Sequence, residues 1–508
     1  MAVPYVLGRS PVEIEEWVPS ERTVAVGRPK ASFPVVLCGV GLDPVTTGQA
    51  LERIEQMIES GRPHYIATAN VDFLVQSLRD MELRRVLLDA PLVLCDGTPL
   101  VWASRWLGQP LPERVAGADL MPELIRLAAE KQYRMFFLGA DPRTNEGAVA
   151  EVRRQFPRAI IAGHYSPPFK HLLEMDFEDM ARRVRGARPD LLFVAFGCPK
   201  AEKWMAMHCQ SLNVPVSIGV GGTLDFLAGR LKRAPLWVQR AGLEWCYRLW
   251  QEPRRLWRRY LRDGWFFGLA LGAQWWGAGA SPLFFRGNGG RRGSIEPTPE
   301  REAFSVKIAG RLEAQAVQPD GGLERFQTDN DWMLDLSGVT FIDNPGIGML
   351  LRLRKALLEA GRRLVLVAPA YSVRRALDCV HLRAFFLVAE SRADARRLLD
   401  EPRDPWPVRY HARQRSLSWH GEITAANAER VWKLSEPILE ALASLRPALR
   451  VDLSQVSFVD SAGVAVMMRT AKLARESGVA LCFTAPQAIV RRVVCFDRLS
   501  RDLLRDCL

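Results

Sequence analysis

Residues 91–102 read PLVLCDGTPLVW: a short apolar run, an aspartate, a glycine, and then the start of a helical pattern. The run is too short for a helix and too continuous for a half-exposed strand, so it reads as a strand buried on both faces. Asp96 is then a carboxylate at a strand's C-terminal end, with Gly97 allowing close approach. Similar runs lie on either side: PVVLCGVG (34–41), HYIATAN (64–70), RMFFLGA (134–140), LLFVAFG (191–197) and PVSIGVGG (215–222). Helical stretches at 46–60, 117–132, 144–156 and 171–186 fall between them. The pattern predicts an α/β, Rossmann-like domain with a parallel sheet over 33–277, whose ligands gather where the strands end. Residues 1–32 read as a lead-in.

The full chain has 508 residues, room for about three domains. Hydrophobic residues make up 48%, enough for buried cores, which excludes a disordered chain. The nine cysteines form no CxxC and the seven histidines no HExxH, so a disulfide scaffold and a Cys- or His-built metal centre are not expected. Neither a signal peptide nor an apolar run of about 20 residues is evident, and a cytoplasmic protein is expected.

The net charge of +12 is uneven. Arg230 to Asp263 holds ten basic and three acidic residues, and seven of the fifteen tryptophans lie between Trp237 and Trp276. Arginine interleaved with tryptophan suits the headgroup layer of an anionic membrane; packing on the parent domain and nucleic-acid binding are the competing readings. Pro253 is expected to open a new helix. The twelve residues WFFGLALGAQWW (265–276) are too short to span a bilayer but could dip into one leaflet.

Residues 278–300 are rich in Gly and Pro and read as a linker. Beyond them, DLSGVTFIDNPG (335–346) matches DLSQVSFVDSAG (452–463) at seven of twelve positions, offset by 117. A second strand follows each copy, RRLVLVAPA (362–370) and VALCFTAPQ (479–487). Two copies of one small α/β domain are expected, over 301–402 and 405–508.

Seven motifs in order, TANVDF (68–73), CDGTPLVW (95–102), ERVAGADL (113–120), GHYSPPF (163–169), FGCPKAEKW (196–204), GVGGTLDFLAGRLKRAP (219–235) and GLEWCYRLWQEPRRLWRRYL (242–261), resemble the WecG/TagA/CpsF glycosyltransferases. The resemblance covers about Val35 to Trp276. It implies inverting transfer of a hexose, most commonly N-acetylmannosamine, from a UDP-sugar to a polyprenyl-diphosphate-linked GlcNAc acceptor, at the cytoplasmic membrane face, in wall-polymer or exopolysaccharide synthesis. Asp96 would be the base, with Thr68 and Asn70 beside it and Arg114 on a diphosphate or sugar oxygen. The competing reading of Asp96 is a helix cap; without the resemblance, Thr68 and Asn70 read as ordinary turn residues, and Arg114 equally as a surface arginine. Tyr165, Gly221, Gly222, Asp225 and Glu202 would bind the UDP-sugar. Arg248, Arg255 and Arg258, on an appendage over 230–277, would meet a diphosphate and the membrane. No DxD motif accompanies these motifs, and no metal or other cofactor is expected. One departure stands out: the family usually has Gln where this chain has Ala201, which keeps open a reading as a UDP-sugar or membrane sensor with little catalysis.

The repeated motif resembles the core of STAS domains, the family of anti-sigma factor antagonists and sulfate-transporter tails. By that resemblance Ser461 is a phosphorylation candidate, a kinase or anti-sigma-like protein a candidate partner, and the first copy, with Asn344 instead, a fixed docking module. The alternative is that Ser461 and Asn344 are ordinary N-caps.

Overall fold

The computed structural model describes residues 33–231, 233–277, 294–299, 303–312, 329–400, 407–411, 416–443, 448–496, 500 and 503–504. The lead-in over 1–32 and residues 278–293 of the expected linker lie outside them.

The N-terminal domain opens with a hairpin, β1 (Val35–Leu37) and β2 (Val40–Leu42), paired antiparallel. PVVLCGVG therefore does not join the parallel sheet as the run suggested. Cys38 and Gly39 both take positive φ, the two-residue turn that matches strand twist. At Gly39 a Cβ would lie 2.2 Å from the carbonyl oxygen of Val380, so only glycine admits the first repeat at this distance. The main sheet holds β3 (His64–Ala69), β4 (Leu92–Cys95), β5 (Arg134–Gly139), β6 (Ile160–Tyr165), β7 (Leu191–Ala195) and β8 (Val216–Gly219), all parallel, in the order β4-β3-β8-β7-β5-β6. Helices cover both faces and form two apolar layers, so the central strands are buried throughout. The ends of β4, β3, β8 and β7 lie side by side, whereas β6 is the far edge.

The basic segment folds as helices Leu236–Arg240, Glu244–Gln251 and Pro253–Gly277, and Pro253 opens the last of these. That helix packs along helix Val71–Ser77 and buries Leu256, Asp263, Phe267, Leu271 and Gln274 on one face. The segment WFFGLALGAQWW is thus half consumed by protein contacts. Trp275 stacks on Trp106 at 5.5 Å, and Gln274 bonds Cys38 N, Val36 O and Asn344 Oδ1. A helix held this way along its length cannot dip end-on into a leaflet. Its other face leaves Trp257, Leu261, Trp265, Leu269 and Trp276 exposed. Among the described residues no helix is long and apolar enough to cross a membrane.

The first repeat is a sheet in the order β13-β12-β11-β10-β9: β9 (Ser294–Pro299), β10 (Ala303–Leu312), β11 (Asp331–Ile342), β12 (Leu364–Val367) and β13 (Leu387–Ala389). Ser294–Pro299, expected at the end of the linker, is its edge strand, antiparallel to β10. The second repeat has β14 (Val408–His411), β15 (Ser416–Ile423), β16 (Ala448–Val459) and β17 (Ala480–Thr484) in sequence order. In both, the motif strand (β11, β16) pairs parallel with the strand before it and the strand after it, and runs into a helix, Asn344–Glu359 or Ser461–Glu476. Val36, Met81 and Leu88 of the N-terminal domain join one continuous apolar cluster with both repeats. Ion pairs flank it, Arg354–Asp89 at 2.7 Å and Arg85–Glu422 at 3.3 Å.

Candidate active site

A cleft of about 410 Å³ opens over the ends of β4, β3 and β8, roofed by the appendage. Asp96 is the first residue past β4, its amide donating to Ala69 O at 2.8 Å. The next helix, Thr98–Trp106, starts after Gly97 with no side-chain cap, so the Asp96 carboxylate is not spent on capping. It lies in the cleft and accepts from the Gly117 amide. Its oxygen and the hydroxyls of Thr68 and Thr223 converge within 4 Å of one point beside Gly117. Burial pushes its pKa from 3.8 up to about 6, against the pull of the Arg114 and Arg248 guanidiniums. Such a carboxylate is charged at neutral pH yet retains appreciable proton affinity, which suits a general base.

Thr68 and Asn70 reach the same cleft and also hold the backbone there. Thr68 Oγ1 donates to Gly219 O at 3.1 Å, tying β3 to β8. Asn70 caps helix Val71–Ser77 by accepting from Phe73 N at 3.3 Å. Gly221 and Gly222 line the cleft, but the helix after them is only Thr223–Leu227, too short for a strong N-terminal dipole.

Arg114 is placed differently from its expected role. It borders the cleft, yet it is paired with Asp119 at 2.8 Å and Glu244 at 2.7 Å. Arg233 joins the same two carboxylates from the appendage. Two arginines and two acids thus close a ring across the seam, so both edges of this guanidinium are already committed. Asp225, unlike Arg114, is outside the cleft lining; it accepts from Thr144 Oγ1 at 3.4 Å, beyond Gly222. Tyr165 is not brought in at all. It ends the far edge strand, with the Arg183 guanidinium 4.3 Å from its ring centre.

Glu202 is 2% exposed in the cleft wall, and its Oε2 has no hydrogen-bond partner among the described residues. Burial pushes its pKa up to about 8, with Asp72 adding to the effect. Ala201 lies beside it and lines the same wall.

Of the appendage arginines, Arg248 faces the cleft and stacks over Phe226 at 5.0 Å. Arg258 is on the outer face, over Trp257 at 5.3 Å, and does not reach the cleft. The Arg255 side chain lies outside the described residues. Sequence reasoning missed Arg259, which lines the cleft 4.0 Å from Asp72, together with Tyr260, Asp263 and Phe267. Their signal was the 3.6 period: 256, 259, 260, 263 and 267 share one helical face and 258 and 262 the other.

Ser461 and Asn344 are not N-caps. Asp460 and Asp343 fill that role, accepting from Gly463 and Gly346 at 2.9 Å. Ser461 is 8% exposed, against Glu82 of the N-terminal domain.

Comparison with known proteins agrees with this architecture. Residues 35–280 match the glycosyl transferase WecG/TagA/CpsF family, residues 305–395 the STAS domain family, and residues 408–505 the Mlab, STAS domain family. An N-acetylglucosaminyldiphosphoundecaprenol N-acetyl-beta-D-mannosaminyltransferase of Bacillus spizizenii is 34% identical over 204 residues, 40% of this chain and 77% of the relative. A protein of the same name from Staphylococcus aureus is 30% identical over 226 residues, 44% of this chain and 87% of the relative.

Proposed function

This chain belongs to the WecG/TagA/CpsF glycosyltransferase family, and from that premise we propose that it transfers N-acetylmannosamine, or a closely related hexose, from a UDP-sugar to a polyprenyl-diphosphate-linked GlcNAc acceptor. The product would enter a wall polymer or an exopolysaccharide. Asp96 takes the proton of the acceptor hydroxyl as its oxygen attacks the anomeric carbon. The bond from that carbon to the UDP oxygen breaks, and the configuration inverts. Arg248 and Arg259, both on the cleft, offset the charge that develops on the leaving diphosphate. In this reading the arginines do this without a metal ion. Glu202, Gly221 and Gly222 take the donor, and Ala201 leaves room beside its sugar.

The observation that carries the reading is the Asp96 carboxylate. It is half-buried, held by one backbone amide, faced by two guanidiniums, and ion-paired to neither among the described residues. The exposed stripe from Trp257 to Trp276, edged by Arg254, Arg258 and Arg262, supports a helix lying flat on an anionic bilayer at the inner face of the plasma membrane.

The test is UDP release from a panel of UDP-sugars with a soluble polyprenyl-diphosphate-GlcNAc analogue, for wild type and Asp96→Asn, with and without EDTA. Acceptor-dependent release, lost in the variant and indifferent to EDTA, is expected. Binding of UDP-sugar without turnover for every donor would overturn the reading and favour a sensor.

A further inference from the structure

Both repeats meet the N-terminal domain with the same position of their motif. In the first, Asn344 accepts from Gln274 Nε2 at 3.0 Å. In the second, 117 residues on, Ser461 gives both its amide and its hydroxyl to Glu82, at 2.6 and 2.7 Å. The second contact continues inward. Glu82 pairs with Lys203 at 2.8 Å, and Lys203 with Asp80 at 2.7 Å, all three nearly inaccessible to solvent.

Lys203 directly follows Glu202 on helix Lys200–Leu212. The stretch from Gly197 to Lys203 is a shared wall. Gly197, Cys198, Ala201 and Glu202 line the active-site cleft. Cys198, Lys200 and Lys203 line a second cavity on the other side, closed by Val464, Val493 and Phe496 of the second repeat. Trp204, fully buried and edge-on to Phe196 at 5.5 Å, fixes the helix behind this wall. Movement of the second repeat therefore bears directly on the turn that carries Glu202.

We propose that the second repeat is a clamp on the catalytic cleft, and that Ser461, Glu82 and Lys203 are positioning residues for glycosyl transfer. This rests on the cleft being the catalytic one. The charge balance makes the clamp selective. One ammonium, Lys203, serves both Asp80 and Glu82, and Asp460 adds a third carboxylate nearby. A neutral donor at position 461 completes this arrangement, whereas an anion there would face Glu82, whose paired ammonium is already shared with Asp80.

The experiment uses the full chain with Ser461→Asp, Glu82→Gln and the two together, read by amide hydrogen exchange and by UDP release. In Ser461→Asp, exchange in residues 461–466 and 198–205 is expected to rise together at least tenfold, and kcat/KM to fall at least tenfold. Adding Glu82→Gln, which removes the repelling charge, should return both to within about threefold of wild type. A general loss of stability would not be rescued by a second substitution in the same interface. No rise in exchange at 461–466 would overturn the clamp. A rise there with 198–205 and kcat/KM unchanged would overturn the positioning role. If wild type turns over no donor, the glycosyl-transfer reading fails, and the exchange arms still decide the clamp.

Discussion

Arg114 and Glu244 meet at 2.7 Å, joining the loop before helix Gly117–Lys131 to the first turn of an appendage helix. With Asp119 and Arg233 they form a ring of alternating charge at the cleft rim. Arg114→Ala leaves two carboxylates to share one arginine. Because the ring is only partly buried, the expected cost is about 1–2 kcal/mol. The melting temperature should fall, and kcat/KM should fall about tenfold as the roof loosens. Arg114→Lys should recover only part of this, since Arg114 reaches Glu244 and Asp119 from two separate guanidinium nitrogens that a shorter, single ammonium does not reproduce. Calorimetry and UDP release check this together; an unchanged melting temperature in Arg114→Ala would show that the ring does not hold the appendage.

The pH profile tests Asp96. With its pKa at about 6, kcat/KM should fall tenfold per unit below that value and level off between it and the Glu202 value of about 8. Asp96→Asn should lose about 10²–10⁴ in kcat. Because the fold holds this proton more tightly than the unfolded chain, the contribution of Asp96 to stability declines as pH rises from 3.8 to about 6. The Asn variant should lack that decline and melt higher at neutral pH.

Glu202 behaves as a neutral acid at pH 7, with a pKa raised from 4.5 to about 8. Its contribution to stability therefore diminishes across that interval as pH rises. Glu202→Gln should keep donor binding at pH 7 within a few-fold, and should flatten the stability profile between 4.5 and 8. Isothermal titration with UDP at pH 6.5 and 8.5 separates the cases. Binding abolished at the lower pH would mean that the carboxylate form is required.

The appendage stripe makes a lipid-binding prediction. Burying one exposed tryptophan contributes about 1.5–3 kcal/mol. Trp257→Ser with Trp265→Ser should thus weaken binding to vesicles containing an anionic phospholipid by about a hundredfold or more. UDP release with a soluble acceptor should hold, because neither residue lines the cleft. Raising the salt should weaken wild-type binding further, through the flanking arginines. Vesicle sedimentation reads both effects.

The parallel sheet was legible because its strands are continuous apolar runs that no other arrangement buries as well; β3, β4, β5, β7 and β8 end where LVLC and its counterparts end. Asp96 was legible for the same reason, as the first polar residue past such a run. The hairpin at Val35–Leu42 was not, because two three-residue strands around a tight turn have the same composition as one longer strand. Tyr165 was misplaced because strand order is not written locally: GHYSPPF ends a strand like the others, but that strand lies at the far edge. Arg114 was read from its type alone, and the partners that occupy it, Asp119 and Glu244, lie 5 and 130 residues away. The inward face of Pro253–Gly277 was present in the sequence as a helical period, obscured by arginines on both faces.

The two repeats, similar as they are, have no interchangeable seats. Asn344 meets an amide and Ser461 a carboxylate, through the same position of a duplicated motif. Serine at 344 would fall short of Gln274, and asparagine at 461 would bring a bulkier group against Glu82. A single residue thus serves each copy as an address. The copies can share one scaffold, one core pattern and one helix geometry, and the assembled chain still has one correct order.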